Sequence, residues 1–363
     1  MVLIYALLHD VGHYCPRSSF PPLLEQIECK VIPYRAAWRI AGAKSWTVGH
    51  WLRSWGNRYY GSQWNWWLPY VHEWFLSRAL EGGPGDLVHF MMAEFGTPRY
   101  PEWFRGRGRR LVGTYHCSAR RLEQVLARYD RYMVFDRITV MSRSQLPFFI
   151  EKGYPSERIS VTMHGVDTDY FAPDVRRGKE GPEGHPGHVK LLLVGSTERD
   201  HEVASQVMRR VQDLPVHLDV LTASAHRDAY GGLNNVSFLS NLSNEDLVKA
   251  YQQADLLFMP LLDCTANNAI LEAMACGTPV MVNNTGGIPE YVDASCNFVM
   301  EGKDADVWAE VVAGLVKDRT LLEARRPAVR AWAEQLDWRV VKAQYLRAYE
   351  AALAMPPIQS CGR

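Results

Sequence analysis

The sequence predicts an α/β protein built as two doubly wound parallel domains. Three observations carry that reading. The 363 residues are enough for two domains that each bury a core of their own. Short apolar runs alternate with longer helical stretches, the pattern of a parallel sheet covered by helices on both faces. A polar run rich in Gly and Pro, DVRRGKEGPEGHPGH at 174–188, divides the chain near its middle and reads as an exposed linker.

Taken in order, the opening MVLIYALLHDVG predicts a buried strand over 2–8. It carries no basic leader, and its apolar run is too short for a signal peptide or a membrane span. Gly12 marks the first strand-to-helix turn. Strands follow at 29–33, 86–91, 110–115, 138–141 and 159–163, giving a first domain over 1–173. Within it, residues 46–75 hold seven Trp and three Tyr. This tract is too polar to span a bilayer; its indoles either form a lid or interfacial segment or fill the first domain's core. After the linker, strands at 190–194, 217–221, 235–238, 255–259 and 279–282 make a second domain over 189–337. Trp338, Val341, Tyr345 and Tyr349 recur at helical spacing and predict a last helix over 338–354, within a terminal segment 338–356.

Hydrophobic residues make up 47% of the chain and charged residues 22%, the balance of a soluble globular protein. Seven scattered cysteines, an odd number, fit reduced thiols in a cytosolic protein rather than a disulfide framework. Net charge is zero but unevenly placed, with 24 Lys/Arg against 17 Asp/Glu over residues 1–180 and 16 against 23 beyond. A basic first half suits an anionic ligand or an acidic membrane surface, or attraction between the two halves. No nucleic-acid partner is expected.

The most informative stretch is 263–291, DCTANNAILEAMACGTPVMVNNTGGIPEY. Every residue from Ala266 to Cys276 tolerates a helix, Gly277 sits where a helix-ending glycine belongs, and Pro279 prevents continuation. Val280, Met281 and Val282 then make a short buried strand. The 3-and-4 spacing places Thr265, Asn268 and Glu272 on one helical face. Free backbone N–H groups at the helix start suit a phosphate, and Glu272 one turn deeper can accept hydrogen bonds from sugar hydroxyls. Together they describe a nucleotide sugar. In an open sheet ligands bind beyond the carboxyl ends of the strands, where this loop and the turn after 110–115 both fall.

LEAMACGTPV and GGIPEYV resemble the donor-binding signature of the retaining glycosyltransferases of family GT4, E-G-x-G-x-x-x-x-E-A-M-A-x-G-x-P-V followed by G-G-x-x-E. Three more segments resemble that family in order and spacing: ISVTMHGVDTDYFAP from Ile159, VKLLLVG ending at Gly195, and NEDLVKAYQQADLLFM over 244–259. The resemblance covers about 159–345 well and the first 150 residues weakly. It implies the GT-B fold, two Rossmann-like domains facing across a cleft, with the last helix crossing back to the first domain. It also implies transfer of a hexosyl unit from a nucleoside-diphosphate sugar, UDP-linked, to an acceptor hydroxyl with retention. The alternatives are a GT-B-like phosphorylase or epimerase and a non-catalytic sugar-nucleotide-binding protein.

The resemblance further implies roles for single residues. Glu272 binds the donor ribose. Backbone N–H groups of Asn267, Asn268 and Ala269, beside Thr265, hold the distal phosphate. After Gly195, Ser196 stands where the family places an arginine, and Arg199 is the cation available for the diphosphate, a surface charge being the alternative. His116, at the end of the strand in LVGTYHCSARR, lies against the donor sugar with a catalytic role, a satisfied core histidine being the alternative. Gly12 belongs to the loop near the leaving phosphate. The first glutamate of the signature falls on Cys264; Asp263, one residue out of register, is the nearest carboxylate and the second catalytic candidate.

Asp167-Thr168-Asp169 and Asp304-Ala305-Asp306 fit the D-x-D metal pattern of another glycosyltransferase fold, but one lies in the turn ending the first domain and the other at a helix start. His9 and His13 lack the Glu of a zinc-hydrolase helix, and no Cys/His cluster has zinc spacing. No obligate metal or other cofactor is expected, the nucleotide sugar being a co-substrate. The expected partners are that donor and a sugar, lipid-linked or small-molecule acceptor. The expected location is cytoplasmic, or peripheral at the inner face of the membrane through 46–75.

Overall fold

The computed structural model describes residues 4–8, 17–33, 86–95, 108–126, 131–175 and 187–358. Gly12, His9, His13, the Trp-rich tract 46–75 and most of the 174–188 linker lie outside the described residues.

The first sheet holds β1 (Ile4–Leu8), β2 (Lys30–Pro33), β3 (Leu87–Phe90), β4 (Arg110–Tyr115), β5 (Arg137–Val140) and β6 (Ile159–Val161). All pairings are parallel, in the order β2-β1-β3-β4-β5-β6. Every residue of β3 and β5 is buried, as strands covered on both faces require. Helices α1 (Ala119–Val125) and α2 (Leu146–Glu151) follow β4 and β5. Aromatic rings fill the core beside them, with Tyr115 and Phe149 centred 4.9 Å apart and Tyr132 edge-on to Phe149 at 5.6 Å.

The second sheet holds β7 (Val189–Val194), β8 (Val216–Leu221), β9 (Val236–Leu239), β10 (Leu256–Met259), β11 (Val280–Asn283) and β12 (Phe298–Met300). It too is parallel, in the order β12-β11-β10-β7-β8-β9. The order therefore reverses between β7 and β10, the switch point at which an open α/β sheet leaves a crevice beyond its carboxyl ends. β12 is absent from the sequence reading because three residues carry no pattern. Around this sheet lie α3 (His201–Arg210), α4 (Asn244–Gln253), α5 (Asn268–Ala275), α6 (Ala305–Lys317) and α7 (Arg326–Gln335), and α8 (Trp338–Ala354) follows. Asp200, Ser243 and Asp304 cap α3, α4 and α6 by accepting backbone N–H groups of the first turn. No helix among the described residues is long and apolar enough to cross a membrane.

The chain divides into two units, one of Met1–Tyr14, Phe20–Met163 and Val341–Arg363, the other of Cys15–Ser19 and His164–Val340. From Val341 onward α8 belongs to the first unit. There His89, on β3, bonds the Tyr349 hydroxyl of α8 at 2.7 Å and Thr114 Oγ1 of β4 at 2.6 Å. Burial, with the charge of His116 adding to it, pushes the His89 pKa down to about 3, so the ring is neutral. Below about pH 6.5 the unfolded chain takes up a proton that the folded ring refuses. Stability is therefore lost as pH falls from 6.5 toward 3, at up to about 1.4 kcal/mol per pH unit. Melting temperature should drop steadily from pH 7 to 4. His89→Gln should flatten that slope while lowering the melting temperature at pH 7. A wild-type melting temperature that is level across the range would show that His89 is not held neutral.

Candidate functional site

Two loops meet where the second sheet reverses. Residues 195–199 follow β7, and Arg199 forms a backbone bridge with Leu261, just beyond β10. Gly195 has φ +101°, and a Cβ there would lie 2.7 Å from Arg199 Nη2, so only glycine lets the guanidinium lie down over the turn. Arg199 Nε donates to Val194 O at 2.9 Å, Nη1 to Thr197 O at 2.7 Å and Nη2 to Asn267 Oδ1 at 3.2 Å. These three oxygens hold the guanidinium over the turn.

Helix α5 starts at Asn268, two residues later than the sequence allowed. Thr265 lies ahead of it, buried, so it does not share a helical face with Asn268 and Glu272 as the spacing predicted. Asn267 is the extended residue at the N-cap, and its carboxamide makes no cap bond; it takes the Arg199 bond instead. The first N–H groups of α5, on Asn268 and Ala269, have no carbonyl a turn earlier to bind. Helix start and guanidinium thus place positive potential at one spot. At the other end, Gly277 N–H bonds Met274 O and Thr278 N–H bonds Ala273 O, both at 2.9 Å, closing the helix where the sequence placed its end.

Glu272 points from α5 into the interior and is 3% exposed. The Tyr251 hydroxyl of α4 donates to its Oε2 at 2.7 Å, and the Ser18 side chain also hydrogen-bonds it. Burial raises the carboxyl pKa; the Ser18 and Tyr251 bonds and the Arg199 charge oppose that rise without cancelling it. A carboxylate already fed by hydroxyl donors is suited to accept more of them. Tyr251 and Ser18 were not singled out from the sequence. Tyr251 sits in an amphipathic helix where a tyrosine reads as core, and Ser18 reaches Glu272 from a remote part of the chain.

Asp263 Oδ1 accepts the Cys264 N–H at 2.7 Å, and Cys264 O accepts the Gly287 N–H at 2.8 Å. Gly286, at φ +53°, lies flush on this loop: a Cβ there would collide with Cys264 O and come within 2.8 Å of Asp263 Oδ1. Burial pushes the Cys264 thiol up to about 12, so it stays neutral. Ser196 Oγ accepts the Ala223 N–H at 2.9 Å and meets Thr222 Oγ1 at 3.0 Å, bracing the turn after β8.

His116 belongs to the first unit, directly after β4. Its Nδ1 lies 3.4 Å from Glu94 Oε1, which also accepts the His116 backbone N–H at 3.0 Å. Burial raises the Glu94 pKa, but His116 outweighs it and holds the carboxyl below its ordinary range. The charged Glu94 therefore orients the imidazole, whose side chain is 20% exposed. The Asp-x-Asp carboxylates are engaged within the protein. Asp167 pairs with Arg17 at 3.3 Å, Asp169 with Arg339 at 3.0 Å and Asp306 with Arg210, and Asp304 caps α6. Among the described residues no group of three His, Cys, Asp or Glu is placed to hold a metal ion.

Comparison with known proteins gives two family matches: one described as "Glycosyltransferase Family 4" over residues 6–170, the other as "Glycosyl transferases group 1" over residues 169–318. The chain is 26% identical over 232 residues to the D-inositol 3-phosphate glycosyltransferase of Corynebacterium urealyticum, covering 57% of this chain and 55% of that protein. It is 31% identical over 228 residues to the GDP-mannose-dependent alpha-(1-6)-phosphatidylinositol monomannoside mannosyltransferase of Mycolicibacterium smegmatis, covering 56% and 59%. The chain thus spans little more than half the length of these relatives. Among solved structures it resembles Anabaena HepE in complex with UDP-glucose, with a TM-score of 0.65 at 14% identity, covering 97% of this chain and 100% of that one. It resembles the N-terminal domain of Candida albicans trehalose-6-phosphate phosphatase with a TM-score of 0.69 at 11% identity, covering 96% of each.

Proposed function

Because this chain belongs to the group 1 glycosyltransferases of family GT4, with their GT-B fold, we propose that it moves a hexosyl unit from a nucleoside-diphosphate sugar to an acceptor hydroxyl. One observation carries this reading. A buried carboxylate, Glu272, sits one turn inside a helix whose start and neighbouring guanidinium, Arg199, favour an anion. A donor ribose meets Glu272, its diphosphate meets Arg199 and the α5 N–H groups, and no metal is called on for that charge. In this reading the catalytic role falls to His116 of the first unit, oriented by Glu94.

In this reading the reaction retains the anomeric configuration. The bond from the anomeric carbon to the diphosphate oxygen breaks while the acceptor oxygen bonds to that carbon on the same face. The departing phosphate oxygen takes the acceptor's proton. The donor is UDP-linked, the nucleotide in the HepE complex, although a relative is named for GDP-mannose. The acceptor carries negative charge, in keeping with the Lys/Arg excess over residues 1–180 and with relatives named for inositol phosphate.

A second reading, a sugar-nucleotide-binding protein without turnover, is favoured by the neutral Cys264 in place of the family's carboxylate and by Asp263 Oδ1 bonding its own loop. A thermal-shift screen of UDP, GDP and ADP, followed by donor-hydrolysis and transfer assays, tests both. A nucleotide at 100 times its dissociation constant raises stability by ~2.7 kcal/mol. Stabilisation by UDP with turnover supports transfer, and stabilisation without turnover supports the second reading. The donor site is wrong if none of the three shifts the melting temperature.

A further inference from the structure

Resting on Glu272 as the receptor for donor hydroxyls, we propose that Tyr251 is its positioning residue, holding the carboxylate in one orientation through the bond from its hydroxyl to Oε2. The geometry is specific. Both side chains are buried, Tyr251 completely, and the bond is 2.7 Å. Tyr251 is itself clamped. Its backbone oxygen accepts the Thr278 hydroxyl at 2.7 Å, and the Phe171 ring lies edge-on to it at 6.3 Å. Thr278 is also the residue whose N–H closes α5. Tyr251 and α5 are therefore tied at two places, through the phenol to Glu272 and through the Tyr251 main chain to the residue that closes the helix.

A phenol held this way has only one role toward a carboxylate. Burial and the nearby Glu272 push its pKa well above the ordinary value, so it stays protonated and donates. A donor at this distance favours the ionised form of a group that burial drives toward the neutral one. Each element around Glu272 contributes a known neighbour. α4 supplies Tyr251, the segment before the Pro21–Leu24 helical turn supplies Ser18, and the loop after β7 supplies Arg199. Cys276, at the end of α5, is kept neutral chiefly by burial. Of these, Tyr251 is the donor that belongs to a packed helix of the same sheet.

Tyr251→Phe keeps the ring and removes the donor. Binding of UDP, with GDP as a second probe, would be titrated calorimetrically from pH 5.5 to 8.5 on wild type, Tyr251→Phe, Glu272→Gln and the double variant. UDP affinity of Tyr251→Phe should fall about tenfold near pH 6.5, the scale of one lost charge-assisted bond. The loss should shrink toward pH 8.5, because Glu272 without its donor holds a proton to higher pH. Adding Tyr251→Phe to Glu272→Gln should cost little more than Glu272→Gln alone. A role confined to packing would leave the pH profile of the single variant in place, and an affinity and pH profile equal to wild type would overturn the proposal. Failure of wild type to bind either nucleotide at any pH would overturn the donor reading, and this inference with it.

Discussion

Glu272→Ala is expected to weaken UDP binding by roughly 1.5–3 kcal/mol, about ten- to a hundredfold. The loss comes from removing the acceptor to which the donor's hydroxyls would bind. The fold would not be indifferent to the change. Tyr251 Oη and the Ser18 hydroxyl would lose a buried acceptor, so melting temperature should fall too. Glu272→Gln separates the two effects, since an amide still accepts one bond from Tyr251 but carries no charge. Calorimetry on the folded fraction, set against the melting curve, reads them apart. Wild-type affinity in the folded Glu272→Ala protein would leave Glu272 a purely structural residue.

Gly286→Ala should be the most damaging single methyl in the second unit. A side chain at φ +53° costs about 1–3 kcal/mol, and the added carbon would also collide with Cys264 O. The Asp263–Cys264 loop, which leads into the start of α5, would have to move. A fall in melting temperature of several degrees is expected, on a scale of ~2–4 °C per kcal/mol for a unit of this size. UDP affinity should fall alongside. Gly302→Ala is the control, because a Cβ there has no neighbour within 4 Å. Equal melting temperatures for the two variants would count against the close packing of the glycine turn.

The sequence carried the frame of this site but not its wiring. The strand candidates reappear in two parallel sheets, and Glu272 was legible because an apolar helix with one buried-side carboxylate and a glycine stop is a strong local pattern. The beginning of α5 was less legible, since Ala266 and Asn267 tolerate helix while the Arg199 bond to Asn267 favours an extended residue there. Arg199 could be named as a cation, but not its seating on three oxygens, which depends on Gly195 and on a loop nearly seventy residues away. Ser196 looked like a ligand contact from its place after Gly195, yet its hydroxyl serves Ala223. Tyr251, Ser18 and Glu94 meet their partners only through tertiary packing, and local periodicity holds no record of that.

The bond between His89 and Tyr349 joins residues 260 positions apart, and it bears on the order in which the protein is made. The second unit is nearly continuous over His164–Val340, so it is complete on the ribosome before residues 341–358 emerge. The first unit is synthesised earlier but finishes later, with its buried β3 histidine waiting for a helix from the far end of the chain. Nascent units usually fold from the N-terminus forward; here the first unit has to stay unfinished, and open to chaperones or proteases, until residues 341–358 have emerged. A chain stopped after Val340 would keep all twelve strands of the described residues yet lack that closure. Limited proteolysis of such a truncation should cut the first unit and spare the second.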